Sequence, residues 1–235
     1  MRKLSEEAAK KLKPGGDHYT AYVGPPTEYD FMGATQFALL FALGIRDTDQ
    51  LLDFGCGSLR AGRLLIPFLQ PGKYFGIEPN DWLVEESINR QIGRSIVELK
   101  RPKFSNSSAF SADVFGESFD FIVAQSIFSH AGPDVAARIL QSFKKTLRRG
   151  GLCAVTFIHA DLDTPMGWHY PESIAFRVEL IQRLLADASL KGVSIPWYHP
   201  RQTWWVLGHD VASLPNAEQI GLLQGTRLRP PAKGL

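Results

Sequence analysis

Two glycines bracket a cysteine in Leu51-Leu52-Asp53-Phe54-Gly55-Cys56-Gly57-Ser58, directly after a short apolar run. Glycine at 55 and 57 lets the backbone turn tightly and leaves no Cβ between the chain and a ligand. Glu78 stands 25 residues beyond Asp53, in Tyr74-Phe75-Gly76-Ile77-Glu78-Pro79. A carboxylate at such a strand end can accept both hydroxyl protons of a ribose. A third polar point, Ala124-Gln125-Ser126, closes the apolar run 119–123, and His130 follows five residues later. Histidine ionises near neutrality and suits proton transfer. His130 is the first candidate base, with His169 and His199 in reserve.

These residues need elements to carry them. Residues 50–55 read as a short buried strand, 60–69 as a helix, 73–79 as a strand and 81–93 as a helix. The runs 118–128, 134–151 and 152–158 read as strand, helix and strand, the helix closed by Gly150-Gly151. Strands separated by helices imply parallel βαβ units with helices on both sheet faces. A helix over 172–190 precedes two strand-like runs, VSIPW and TWWVLG, too close together for a helical crossover. They must pair antiparallel. The expected fold is α/β, a Rossmann-like doubly wound, mostly parallel seven-stranded sheet ending in an antiparallel pair. Ligands of such sheets bind beyond the carboxyl ends of the strands, where Asp53, Glu78 and Gln125 fall.

Three regions follow along the chain. Residues 1–33 form a charged arm and an irregular, Tyr-rich segment, of which Tyr22 and Tyr29 are expected to close over the site and exclude water. Residues 34–210 form the domain, opening with an apolar helix over 34–44, and residues 211–235 form a tail that reads as a helix and a loose end. The sequence of 235 residues carries 26 Lys+Arg against 24 Asp+Glu, 44% hydrophobic residues and two cysteines. Near-neutral charge gives no overall field for nucleic acid or an anionic membrane, and Lys144-Lys145 with Arg148-Arg149 reads as a solvated helix end. The longest nearly apolar stretch, 37–45, is too short to span a bilayer, and the N-terminus lacks a secretory signal. Two cysteines cannot form a disulfide framework, which points to a reducing, cytoplasmic compartment, and Cys56 and Cys153 have no metal-ligand spacing. His159, Asp161 and Asp163 read as a polar loop and no metal is expected.

The glycine loop is not a nicotinamide fingerprint, because its third glycine position holds Arg60. The nucleophile-elbow pattern of esterases is absent. The segments LLDFGCGSLRAGRLLIPFL, YFGIEP and FDFIVAQSIFSHAG together resemble the class I S-adenosylmethionine-dependent methyltransferase family over roughly residues 34–157. That resemblance implies S-adenosylmethionine as cofactor. It places Asp53, Gly55, Cys56 and Gly57 around the methionine end, Glu78 on the ribose hydroxyls with Asn80 beside it, and the adenine pocket at Ser108–Phe110. Gln125 would lie at the cofactor's amino-acid end and His130 near the methyl group. Leu59 replaces a glycine common in the family and is expected to alter the lining of the methionine end. The implied activity is methyl transfer to a small-molecule acceptor, a hydroxyl on a sugar or phenol-like ring. Trp168, Tyr170 and His199 are expected to meet the acceptor, as is the outward member of the Trp204–Trp205 pair. Neither a nucleic-acid nor a membrane partner is expected, and a homodimer is compatible with the sequence. The competing reading is a non-catalytic S-adenosylmethionine-binding regulatory or scaffold subunit.

Overall fold

The computed structural model describes residues 4–223. Seven strands form one sheet in the order β3-β2-β1-β4-β5-β7-β6. The strands are β1 Leu51–Phe54, β2 Tyr74–Ile77, β3 Lys103–Ser105, β4 Phe119–Ala124, β5 Leu147–Phe157, β6 Lys191–Ile195 and β7 Thr203–Gly208. β1 to β5 pair parallel, whereas β7 pairs antiparallel with both β5 and β6. The order reverses at β1, so the chain ends of β1 and β4 open a crevice between them.

The helices are α1 Glu6–Ala9, α2 Tyr19–Tyr22, α3 Tyr29–Ala42, α4 Gly62–Phe68, α5 Asp81–Ser87, α6 Arg94–Lys100, α7 Pro133–Thr146, α8 Val178–Asp187 and α9 Ala217–Leu222. α7 shows why the outer layers form. Pro133 starts it at a position where no N–H is needed, and Val135, Ala136, Ile139, Leu140 and Phe143 fall on one buried face. Alternate strand residues feed two cores. Leu52, Phe54, Ile122, Val155 and Trp205 enter one layer; Leu51, Val123, Ala154 and Trp204 enter the other.

Several boundaries differ from those read off the sequence. α3 begins at Tyr29 rather than Ala34, because Tyr29, Met32 and Gly33 bury toward the body. Its Gly33 has a specific reason: a Cβ there would sit 2.3 Å from the Arg60 carbonyl. α7 ends at Thr146 and not at Gly150-Gly151. The intervening residues bulge out of β5, whose register against β4 shifts between Phe119 and Phe121. Residues 172–177 precede α8 as non-helical chain, and α6 and β3 occupy a stretch to which the sequence reading gave no element. Trp204 and Trp205 point to opposite faces, yet both are buried, since helices cover both sides of β7. Neither is a surface platform for an acceptor. The tail carries a 3-10 turn at Val211–Ser213 and then α9, ending at Leu222; the expected loose end lies outside the described residues.

Candidate active site

Beyond the ends of β1, β2 and β4 lies a cavity of about 410 Å³, large enough for a nucleoside-sized ligand. Its wall contains Asp53, Gly55, Cys56, Gly57, Glu78, Asn80, Phe110, Gln125, His130, Trp168 and Tyr170. The structure therefore gathers eleven of the sequence-derived site residues around one space.

The glycine loop is shaped by close approach. Gly55 and Gly57 have φ of +75° and +54°. A Cβ at Gly55 would lie 2.1 Å from Ile127 Cδ1, and one at Gly57 would lie 2.7 Å from Val23 Cγ1. Leu59 also takes a left-handed φ of +53°, the conformation that favours glycine. Its side chain is buried in the core under the loop and does not line the cavity, contrary to expectation. Phe110 and Ser126, both in the cavity wall, share this strained backbone region. Such residues concentrate at functional sites.

Glu78 is held at both oxygens. Oε2 accepts the Gly57 N–H at 3.1 Å; Oε1 accepts the Asn80 N–H at 2.8 Å and the Asn80 amide at 2.7 Å. Burial nevertheless lifts its pKa above the usual carboxylate value. Asp53 accepts the Tyr74 hydroxyl at 2.7 Å, and burial raises its pKa to about 6. Cys56 is a buried free thiol whose pKa burial pushes well up, which suits packing rather than nucleophilic attack.

Gln125 lines the cavity while neither amide atom has a hydrogen-bond partner. Buried polar groups ordinarily find partners, which makes this amide an exception beside the cavity. His130 Nδ1 lies 2.6 Å from the Glu172 carbonyl. A carbonyl only accepts, so Nδ1 carries the proton and Nε2 is left as the basic nitrogen. Burial lowers the His130 pKa below 6.5, so the ring is neutral at pH 7.

Aromatic rings extend from this histidine in both directions. His130 lies 5.2 Å from Tyr170 and 5.8 Å from Trp168, Trp168 lies 5.0 Å from Phe110, and Tyr170 lies 5.2 Å from Tyr22. The Tyr170 hydroxyl donates to the Tyr22 carbonyl at 2.8 Å, tying the N-terminal segment to the stretch after β5. Tyr22 thus lines the cavity as expected. Tyr29 does not; it is buried, and its hydroxyl holds the Ser58 carbonyl at 2.8 Å from beneath the loop.

Other sequence candidates lie elsewhere. His169 is outside the cavity wall, its Nε2 2.8 Å from the Met166 carbonyl. His199 is also outside it. Its Nδ1 accepts the Arg201 and Gln202 N–H groups, and burial with nearby arginines lowers its pKa to about 3. Asp161 and Asp163 pair with Arg177, and His159 accepts the Trp205 indole N–H. Among the described residues no group of three or more His, Cys, Asp or Glu is placed to hold a metal. Nor is any described helix long and apolar enough to cross a membrane. Sequence reasoning missed Gln36, Arg60, Val23, Leu83 and Ile127 as cavity residues. Gln36 gave no signal inside an apolar helical run, and Arg60 was read only as the residue that breaks a nicotinamide fingerprint.

Residues 52–153 match the family model described as a methyltransferase domain. No curated protein matches the chain by sequence. Solved structures match by shape. An S-adenosylmethionine-dependent methyltransferase from Clostridium acetobutylicum has 14% identity and a TM-score of 0.58, over 76% of this chain and 92% of that one. Magnesium protoporphyrin IX methyltransferase from Synechocystis, with bound S-adenosylhomocysteine, has 14% identity and a TM-score of 0.57, over 82% and 89%. A glycopeptide N-methyltransferase in complex with S-adenosylmethionine has 9% identity and a TM-score of 0.59, over 76% and 94%. Glycine loop, acidic strand end and sheet order agree with these findings: residues 52–153 match a methyltransferase domain, in a chain with the fold of the class I S-adenosylmethionine-dependent methyltransferases.

Proposed function

We propose that the chain binds S-adenosylmethionine in the 410 Å³ cavity and transfers its methyl group to a hydroxyl of a small ring-bearing acceptor. One observation carries this reading: the doubly anchored Glu78 carboxylate and the neutral His130 line the same space. The residues present fit the cofactor. Glu78 offers carboxylate oxygens to ribose hydroxyls, Gly55 and Gly57 border the cavity without side chains, and the Gln125 amide beside it has no partner. When bound, the cofactor supplies a methyl already made electrophilic by its sulfonium.

The protein's tasks are alignment and proton removal. Holding an acceptor oxygen about 3–3.5 Å from the methyl group supplies most of the acceleration. Phe110, Trp168 and Tyr170 offer flat faces that would orient a sugar or phenolic ring. His130 Nε2 would take the hydroxyl proton as the oxygen attacks, and its Nδ1–H bond to the Glu172 carbonyl would steady the imidazolium that forms. The Tyr170–Tyr22 tie would keep water from the reacting atoms. The acceptor is read as a small molecule, without nucleic acid or membrane.

The test is methyl transfer from labelled S-adenosylmethionine to a panel of sugars and phenols, by wild type and His130→Ala. Turnover of a hydroxyl acceptor, lost in the variant while cofactor affinity persists, is expected. Methylation of amines alone would replace oxygen by nitrogen as the target. Cofactor binding without turnover of any acceptor, even with added cell extract, would favour a regulatory subunit instead.

A further inference from the structure

Between β5 and α8 the chain makes an excursion that is tied along its length. The Thr164 hydroxyl donates to the Ala175 carbonyl at 2.7 Å, so the two ends of this strap meet. Between them it runs past the loop before α7, with Trp168 set antiparallel against Ala131. The Gly132 N–H donates to the Gly167 carbonyl at 2.6 Å, the His169 N–H to the His130 carbonyl at 2.8 Å, and the Ile174 N–H to the Ser129 carbonyl at 2.8 Å. The approach is tightest at Gly132, where a Cβ would lie 2.4 Å from the Pro165 carbonyl oxygen and 2.6 Å from the Gly167 nitrogen. These ties fall on both sides of His130, whose Nδ1 meets the Glu172 carbonyl of the same strap.

The register of the strap decides what His130 faces. Extended chain turns successive side chains to opposite sides. Trp168 and Tyr170 accordingly line the cavity, while His169 between them lies outside it, its Nε2 2.8 Å from the Met166 carbonyl. The two inward rings stand 5.8 and 5.2 Å from the His130 ring. A slip of one residue would turn His169 inward and both aromatic rings outward.

One of the ties comes from a side chain that touches nothing in the cavity. Asp134, exposed in the first turn of α7 and outside the cavity wall, accepts the Gly167 N–H at Oδ1, 2.8 Å away. That N–H holds the Asp134 carboxyl below its usual value, so the acceptor is a carboxylate at neutral pH. Gly167 thus spends its N–H on Asp134 and its carbonyl on Gly132, at a φ of +93° that favours glycine.

We propose that Asp134 is a positioning residue for the acceptor site: by holding Gly167 it fixes the register of residues 164–175, and with it the places of Trp168 and Tyr170 about His130. The inference rests on the acceptor meeting His130, as proposed above.

The test is fluorine NMR of the full chain labelled with fluorotryptophan, in wild type, Asp134→Ala and Asp134→Asn. The chain has five tryptophans, and the Trp168 signal is the one lost in Trp168→Phe. Each protein is saturated with S-adenosylhomocysteine, whose affinity is measured separately, and phenol is then titrated in. Asp134→Ala is expected to move or broaden the Trp168 signal alone. It should weaken phenol binding by roughly twofold to tenfold, the loss of one hydrogen bond, and leave the affinity for S-adenosylhomocysteine unchanged. Asp134→Asn keeps an oxygen for the Gly167 N–H and should restore both signal and affinity. A Trp168 signal and a phenol affinity unmoved by Asp134→Ala would overturn the proposal. Movement of all five signals, or an equal loss of S-adenosylhomocysteine binding, would overturn it too, by making Asp134 a general support of the fold. An Asn variant as impaired as the Ala variant would do the same, leaving only a charge at a helix end. Phenol that binds no form of the protein, while the Trp168 signal follows the variants as expected, would leave the latch standing and remove the phenolic acceptor from the proposed function.

Discussion

At the scale of single residues, the site depends on two ionisable groups held away from their usual behaviour. His130 is kept neutral by burial, and a base works only in that form. The methylation rate should therefore fall as pH drops through a value below 6.5 and level off at neutrality. His130→Asn should lower kcat by roughly 10²–10⁴-fold while leaving the affinity for S-adenosylhomocysteine unchanged, and should abolish that acidic limb. A limb that persists in the variant would assign the proton to another group. Asp53 carries the opposite consequence. Its carboxyl is raised by burial to about 6, so the fold favours its protonated form. The folded state then binds more protons than the unfolded state between pH 4 and 6, and stability declines as pH rises through that window. The displacement from 3.8 to about 6 corresponds to roughly 3 kcal/mol. Asp53→Asn should raise the melting temperature of the ligand-free protein at pH 7 and flatten the decline. If both profiles superimpose, the carboxylate is better solvated than its burial implies.

At the scale of elements, the glycine loop and the segments before β1 and after β5 build the cavity from three directions. Two contacts between them are open to test. Gly33→Ala places a methyl 2.3 Å from the Arg60 carbonyl, and forcing these backbones apart should cost about 1–3 kcal/mol in urea denaturation. Wild-type stability in that variant would mean that α3 shifts freely. Tyr170→Phe removes the bond to the Tyr22 carbonyl, worth roughly 0.5–1.5 kcal/mol. It should speed limited proteolysis within residues 15–24 more than elsewhere, and a uniform change along the chain would deny a local tie. How much of this was legible differs by element. β1, β2 and β4 were readable because both faces are buried, which writes short apolar runs ending in Asp53, Glu78 and Gln125. The antiparallel ending followed from the length of one loop. The start of α3 was hidden because its first turns bury Tyr29 and Gly33, residues that read as irregular chain. β3 was hidden because three residues at a sheet edge carry no periodicity.

For the whole molecule, the sheet reversal at β1 decides which residues meet. Neighbouring β1 and β2 join Gly57 to Glu78 across 21 positions, neighbouring β4 and β5 bring His130 beside Tyr170 across 40, and the reversal sets these two pairs on one cavity. Spacing along the chain announced the first pair, because both members end neighbouring strands. It could not separate His130 from His169 and His199, since a histidine in a loop reads alike whether its ring faces a cavity or a backbone carbonyl. Arg60 escaped for a related reason: its place in the cavity wall, shared with Gln36 of a helix that precedes the sheet, is not written in its own segment. The measurement closest to the central claim is a calorimetric titration of wild type and Glu78→Ala with S-adenosylhomocysteine, with NADH as control. Micromolar binding to wild type, lost in Glu78→Ala and absent for NADH, is the expected result. Undiminished affinity in Glu78→Ala, or binding of NADH in place of the sulfur nucleoside, would contradict it.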